Sequence, residues 1–345
     1  MKVLLTGATG FLGSEIAREL VRQGHTLRVL ARATSKLDGL AGVTHERVVG
    51  DLLDPASIER ALEGMEAVIH AAGSTSVRQR DHRMLYQVNV DGTRNLLEAA
   101  ARRPGLRVVH TSTVGAVGGA PRPVLLDERA KWNLGGLGYH YLDSKRQGEE
   151  LALARAREGM NLVVVNPGMI FGPGDVYLTS TRYVLEYLRG KNRFAVRGGL
   201  SFCDVRDVAR AHVAALTQGR PGERYILAGQ NLTHREALAA LHQLTGLHRP
   251  IPMPGALIMA AAGISQALAR LRPHGLEDLN LGVARVAKMF LYFDVSKAKR
   301  ELGYVVRPFD ETLRDTLRDL VDRGLYPART PALAALTTRR LPQAA

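Results

Sequence analysis

The stretch that decides the fold is Thr6-Gly7-Ala8-Thr9-Gly10-Phe11-Leu12-Gly13, TGATGFLG, whose three glycines stand at intervals of three. It follows the apolar run Val3-Leu4-Leu5. It opens a stretch in which Phe11, Leu12, Ile16 and Leu20 recur at helical spacing. A strand, a glycine loop and a helix in that order make a cradle for phosphate. The glycines allow a tight turn and close approach of the backbone to a pyrophosphate. The helix N-terminus then supplies unpaired N–H groups and a positive dipole end. A simple tight turn would not need three glycines.

Outward from this loop, apolar strands alternate with amphipathic helices. The pattern predicts strands at Lys2–Thr6, Thr26–Ala31, Glu46–Val49, Ala67–His70, Arg107–Thr111 and Leu162–Val165. It predicts helices at Phe11–Gln23, Pro55–Glu63, His82–Arg102 and Tyr139–Glu158. Such alternation argues for an α/β fold with a parallel sheet covered on both faces, whose ligands sit at the carboxyl ends of the strands. After Pro167 the rhythm is less regular. A helix is expected over Tyr177–Arg189. SFCDVRDVARAHVAALTQG reads as a strand and a helix, and ERYILAG as a strand, all returning to the sheet. Helices dominate from Thr233, and Tyr326–Ala345, rich in Pro, Ala and Arg, reads as a disordered tail.

Composition narrows the function. The 345 residues carry a formal net charge of +14, but the arginines are scattered and have no interleaved aromatics. That excludes a nucleic-acid groove. The single cysteine, Cys203, rules out an internal disulfide, which fits a reducing cytoplasm. The N-terminus runs straight into a strand and reads as carrying no targeting signal. Ile251–Ala269 is uncharged and close to the length of a spanning helix, yet it holds two prolines and two glycines. Leu257, Ala261, Ile264, Leu268 and Leu271 fall on one helical face. We expect a soluble helix that lays this face over an apolar pocket. Weak membrane contact is the alternative.

The spacing Gly7, Gly10, Gly13 resembles the extended branch of the short-chain dehydrogenase/reductase superfamily, the NAD-dependent epimerase/dehydratases. Within it the chain resembles the dihydroflavonol reductase and 3β-hydroxysteroid dehydrogenase group. The resemblance implies a Rossmann-type doubly wound sheet over residues 1–166 and 198–229. A smaller, mostly helical substrate region would comprise 167–197 and 230–326. It requires a Tyr-x-x-x-Lys on a helix after the fifth strand, met by Tyr141 and Lys145. Residues four apart share a helix face, and a nearby cation lowers the pKa of a phenol. Tyr139 has no such partner, because residue 143 is Asp. The family also places a hydroxyl five residues before a loop glycine. Gly118 selects Thr113, with Ser112 as the alternative one register away. Asn89, in NVDGT, matches the family's Asn at the facing helix, though an Asn bonded only to backbone reads equally well.

The resemblance further implies cofactor contacts from Gly7, Thr9, Gly10, Phe11, Leu12 and Gly13. Asp51 and Leu52 would lie under adenine, and Ala71, Ala72 and Gly73 along the cofactor. Thr111, Ser112, Tyr141, Lys145, Pro167, Gly168 and Ile170 would lie around the nicotinamide. His70 reads as structural. NAD-preferring sites place an acid at the end of the second strand. Here that position is Ala31, followed by Arg32, Ser35 and Lys36. These suit a 2′-phosphate, so NADP(H) is expected, with NAD(H) the alternative. No metal is called for.

In the implied reaction Thr113 polarises a substrate carbonyl, the nicotinamide supplies hydride, and Tyr141 supplies the proton. Lys145 lowers the Tyr141 pKa. Val114-Gly115 stands where sugar dehydratases of the superfamily keep an acidic pair, and NPG…GPGD resembles the reductases. Several strings, GLSFCDVRDVARAHVAAL and FDVSKAKRELGY among them, resemble bacterial proteins labelled sugar epimerases, so an epimerase/dehydratase recycling NAD is the runner-up. A non-catalytic dinucleotide-binding protein is a third reading. Arg78, Arg80, His82 and Arg83 could grip an anionic substrate or form a solvated loop. Trp132 could line the pocket or pin its loop. The family also suggests a homodimer built on the helices 82–102 and 139–158.

Overall fold

Short runs of Val, Ile and Leu, followed by helices, can bury a sheet on both faces. The computed structural model describes residues 1–76, 81–271 and 279–338; Arg78 and Arg80 lie outside them. Ten strands precede residue 230: β1 (Lys2–Thr6), β2 (Thr26–Ala31), β3 (Glu46–Val49), β4 (Ala67–His70), β5 (Arg107–Thr111), β6 (Leu162–Pro167), β7 (Met169–Phe171), β8 (Phe194–Ala195), β9 (Gly199–Asp204) and β10 (Arg224–Leu227). Seven of them form one sheet in the order β10-β6-β5-β4-β1-β2-β3, with every pair parallel.

The period-2 pattern divides the core. Val3, Leu5, Val29, Ile69, Val109 and Val163 face one side; Leu4, Leu30, Val68, Val108, Leu162 and Val164 face the other. The first side is covered by α1 (Phe11–Arg22), which packs on a helix at Val205–Thr217. The second is covered by α2 (Pro55–Leu62), α4 (Gly92–Ala101) and α5 (His140–Arg157), and α3 (His82–Tyr86) packs on α5. The helix expected over 82–102 is one rod with a π-helical turn at Gln87–Asp91, and that turn carries Asn89.

The remaining helices are α6 (Arg182–Leu188), α7 (Val205–Thr217), α8 (His234–Thr245), α9 (Gly255–Leu271), α10 (Leu281–Ala287), α11 (Ser296–Leu302), α12 (Phe309–Asp322) and α13 (Pro331–Thr338). The remaining strands are β11 (Gln230–Thr233), β12 (Ile251–Pro252) and β13 (Phe290–Leu291).

The structure corrects four expectations. First, β9 does not return to the main sheet. It forms a second sheet with β11 and β13, and β7 pairs with it as well. The chain turns off the main sheet at Gly168, where a Cβ would come 2.5 Å from the Ser201 carbonyl oxygen. Second, α6 starts at Arg182 rather than Tyr177. The buried Asp175 carboxylate accepts the backbone N–H groups of Thr179, Ser180 and Thr181 and holds them as a loop. Third, the expected tail forms α13. Thr330 caps it through Leu333 N–H, and Leu333 is fully buried against α8 and α12. Residues 339–345 lie outside the described part. Fourth, the stripe of α9 does not cover a pocket. Leu257, Ile264 and Leu268 are 58%, 61% and 41% exposed, and the inward residues are Ala262 and Ser265. Alanine and serine let the helix sit close to its support, and the larger side chains are left outside.

Candidate active site

The glycine loop lies at the carboxyl end of β1. Gly7 has φ +76°, a left-handed conformation, and a Cβ there would come 2.5 Å from the Ala72 nitrogen. A Cβ on Gly13 would come 2.0 Å from the Gly7 carbonyl oxygen. Helix α1 therefore starts tight against the strand. Its N-cap, Gly10, makes no side-chain cap, so the N–H groups of the first turn stay available to an anion. This cradle fits a pyrophosphate. Thr9 and Leu12 are half-buried beside it and Phe11 is buried.

The other cofactor candidates line the same edge at successive strand ends. Arg32 and Lys36 are exposed beyond β2, with Ser35 half-buried between them. Asp51 is half-buried and Leu52 buried after β3; Ala71, Ala72 and the exposed Gly73 follow β4. Pro167 ends β6, Gly168 follows it, and Ile170 lies on β7. The exposed Arg47 donates to the Arg32 and Ala33 carbonyls at 2.8 and 3.2 Å. It adds a second guanidinium beside Arg32 that the sequence reading missed.

The strand end of β5 meets α5. Tyr141 and Lys145 lie one turn apart, and the Lys145 ammonium donates to the Thr111 carbonyl at 2.7 Å. Burial pushes the Tyr141 phenol up, while a hydrogen bond with Thr113 pulls it down. Burial brings Lys145 down to about 8, against the pull of Glu149 one turn on. Of the two candidate hydroxyls, Thr113 is the one that lies near enough to the phenol to lower its pKa. Ser112 Oγ is buried with no partner, and its backbone N–H donates to Val165. The Thr111 hydroxyl faces the opposite way, bonded to His212 at 3.0 Å.

Asn89 uses its amide to hold a loop. Its Oδ1 accepts Ser74 N–H at 2.8 Å, and its Nδ2 donates to the Ser74 carbonyl and to Ser144 Oγ at 2.9 and 3.0 Å. The loop after Gly73 is thereby fastened to α5. His70 is bonded on both ring nitrogens, to Thr6 and Thr93, and burial drops its pKa to about 3. Trp132 pins its loop, donating to the Gly115 carbonyl at 3.1 Å. His82 and Arg83 are exposed.

One buried cluster escaped the sequence reading. Glu149 is fully buried on α5, paired with Arg224 at 3.0 Å and accepting from Asn166 at 2.5 Å. Asn166 Nδ2 also donates to the Thr113 carbonyl at 3.0 Å. The cluster sets the backbone that carries Thr113. Its only local signal was the i, i+4 spacing of Glu149 from Lys145.

A phenol, an ammonium and a hydroxyl gathered beside a dinucleotide cradle define a nicotinamide-dependent oxidoreductase. Residues 3–228 match the NAD dependent epimerase/dehydratase family, and the chain belongs to it. It is an extended short-chain dehydrogenase/reductase. It is 34% identical over 330 residues to sterol demethylase protein B of Methylococcus capsulatus, covering 94% of this chain and all of that one. It is 34% identical to a putative dihydroflavonol 4-reductase of Synechocystis, covering 93% and 94%. A solved nucleoside-diphosphate-sugar epimerase from Pseudomonas aeruginosa superposes with a TM-score of 0.76 at 28% identity, covering 94% and 99%.

Proposed function

We propose that this enzyme uses NADP(H) to reduce a ketone or aldehyde of a largely apolar small molecule to the alcohol. The Thr113 hydroxyl beside the Tyr141 phenol, whose pKa it lowers, with the Lys145 ammonium one turn along the same helix and donating to the Thr111 carbonyl, carries the reading. A carbonyl oxygen seated between the two hydroxyls is polarised by Thr113. When bound, the dinucleotide supplies hydride to the carbonyl carbon. The Tyr141 O–H bond breaks and its proton passes to the developing alkoxide. Lys145 supplies the positive field that favours the resulting phenolate. Asn89 keeps the loop after Gly73 in place.

Arg32, Ser35, Lys36 and the neighbouring Arg47 would receive a 2′-phosphate, which favours NADP(H) over NAD(H). Residues 1–166 and 198–229 would bind the cofactor, and 167–197 and 230–326 the substrate. The enzyme would work in the cytoplasm as a homodimer, α3, α4 and α5 pairing with those of a second copy. The second reading, a sugar epimerase or dehydratase recycling NAD, is favoured by the similarity to the solved epimerase. Val114-Gly115 after Thr113, in place of an acidic pair, speaks against a dehydratase.

The test is the nucleotide. Purified protein is denatured and any released dinucleotide identified; the empty fraction is then melted with NADPH and with NADH. The proposal expects an empty site, with NADPH raising the melting temperature more than NADH and Arg32→Ala removing the difference. Stoichiometric NAD retained through purification overturns it in favour of the recycling enzyme.

A further inference from the structure

Helix α9 shows solvent an apolar stripe with no partner among the described residues. Leu257, Ala261, Ile264 and Leu268 recur at intervals of four, three and four, and all four are exposed. The patch continues onto the β8–β12 ribbon, where Phe194 is 44% and Ile251 is 39% exposed. Five large or medium apolar side chains thus lie along α9 and the ribbon that leads into it.

Among the described residues, the segments that carry the patch are basic. Residues 189–203 and 246–271 contain no Asp or Glu. Arg197, Arg249 and Lys288 are exposed and make no ion pair among the described residues. Arg249 lies two residues before Ile251, and the Lys288 stem lies 3.1 Å from where a Cβ on Gly255 would be, at the start of α9. Arg193 lies over the Phe194 ring, 5.7 Å from its centroid. Lys191 and Arg189 are partly occupied by Glu186 at 3.7 Å.

We infer that the α9 face docks on an anionic lipid surface. An apolar stripe with a basic rim is the pattern of a helix lying in the membrane interface. Its apolar side chains enter the headgroup boundary and its cations meet lipid phosphate. A second copy of this chain is the poorer occupant, since twofold contact through the same patch would set the basic rims against each other. No described helix is long and apolar enough to cross a membrane, so the contact is peripheral. It also places the site. Helix α9 packs on α10, and α10 abuts the start of the catalytic helix, where a Cβ on Gly282 would come 2.1 Å from the Gly138 carbonyl oxygen. The bilayer would lie two helices from Tyr141.

The experiment is co-sedimentation of the full chain with vesicles, without cofactor or substrate, so its outcome is independent of the reductase reading. Binding is expected to phosphatidylcholine/phosphatidylglycerol vesicles and to be much weaker with phosphatidylcholine alone. Ile264→Glu should lower the partition coefficient at least about tenfold. Arg249→Glu and Lys288→Glu should each lower it about fivefold or more on the anionic vesicles only. Val305→Glu, at an exposed apolar residue outside α9 and the ribbon, should leave it unchanged. Failure to bind either vesicle overturns the proposal, as does binding insensitive to Ile264→Glu. So does a dimer in solution that Ile264→Glu alone converts to monomer.

Discussion

The parallel sheet and the C-terminal region bury their polar groups in different ways. Under the sheet, buried imidazoles stay neutral. His70, His110 and His212 all have pKa values lowered by burial. Where β9 and α7 meet the C-terminal helices the buried groups are ions, as Glu149 and Arg224 are behind α5. Arg206 pairs with Asp204 and Asp315 at 2.7 and 2.8 Å, and Arg307 Nη2 lies 3.6 Å from Asp207. The sheet is ordered by main-chain ladders between whole strands, which leave side chains free for chemistry. The second sheet is short, and α12 is held to it by side chains about a hundred residues apart, such as Thr312 on Asp204. The difference teaches where function can be built. The rigid ladder presents Thr113 and the glycine loop, and the side-chain-held region is free to vary around a substrate.

Four measurements break or sharpen that contrast. Tyr141→Phe should lower turnover at least about a hundredfold while NADPH still raises the melting temperature. Retained turnover in steady-state kinetics removes Tyr141 from proton transfer. Glu149→Gln removes the partner of a buried guanidinium and should cost about 3 kcal/mol in urea unfolding, the low end for a broken buried pair. Arg224 still donates to the Glu128 and Ala130 carbonyls. An unchanged midpoint would mean that this cluster does not support β10 and α5.

The third measurement is pH dependence. His70 and His212 stay neutral in the folded state down to about 3 and about 4, whereas an unfolded histidine takes up a proton near 6.5. The unfolded state therefore binds more protons below about pH 6.5, and stability falls as pH drops from there toward about 4. The slope reaches up to about 1.4 kcal/mol per pH unit for each histidine. His212→Gln should flatten one share of it. Asp204 is held below the usual carboxylate range by Arg206 and Thr312 despite burial, whereas burial raises Asp207. Smallest is Ile264→Gln, which should change stability by less than about 0.5 kcal/mol. Leu238→Ala, in the core of the neighbouring α8, should cost about 2–5 kcal/mol.

Much of the sheet and site was legible beforehand because its signals are local. β1 to β5 have the limits that their apolar runs predict, and Tyr141 and Lys145 lie one turn apart on α5 as their i, i+4 spacing requires. What was not legible depends on partners far away in the chain. Glu149 reads as one more charged residue of a polar helix until Arg224 and Asn166 arrive. Residues 331–338 read as tail until α8 and α12 offer Leu333 a place. The α9 stripe reads as a buried face by periodicity alone, yet the small residues Ala262 and Ser265 are what its support accepts.

By itself, the sequence determined the strand–loop–helix cradle, the alternation that makes the parallel sheet, and the Tyr–Lys helix. Each follows from backbone sterics and side-chain period within about twenty residues. The tertiary structure alone decided which hydroxyl meets the phenol, which carboxylate is buried behind it, and which face of α9 is left to solvent. Those depend on how separately formed elements pack. Burial then sets both the energy of a charge and the direction a helix turns its large side chains.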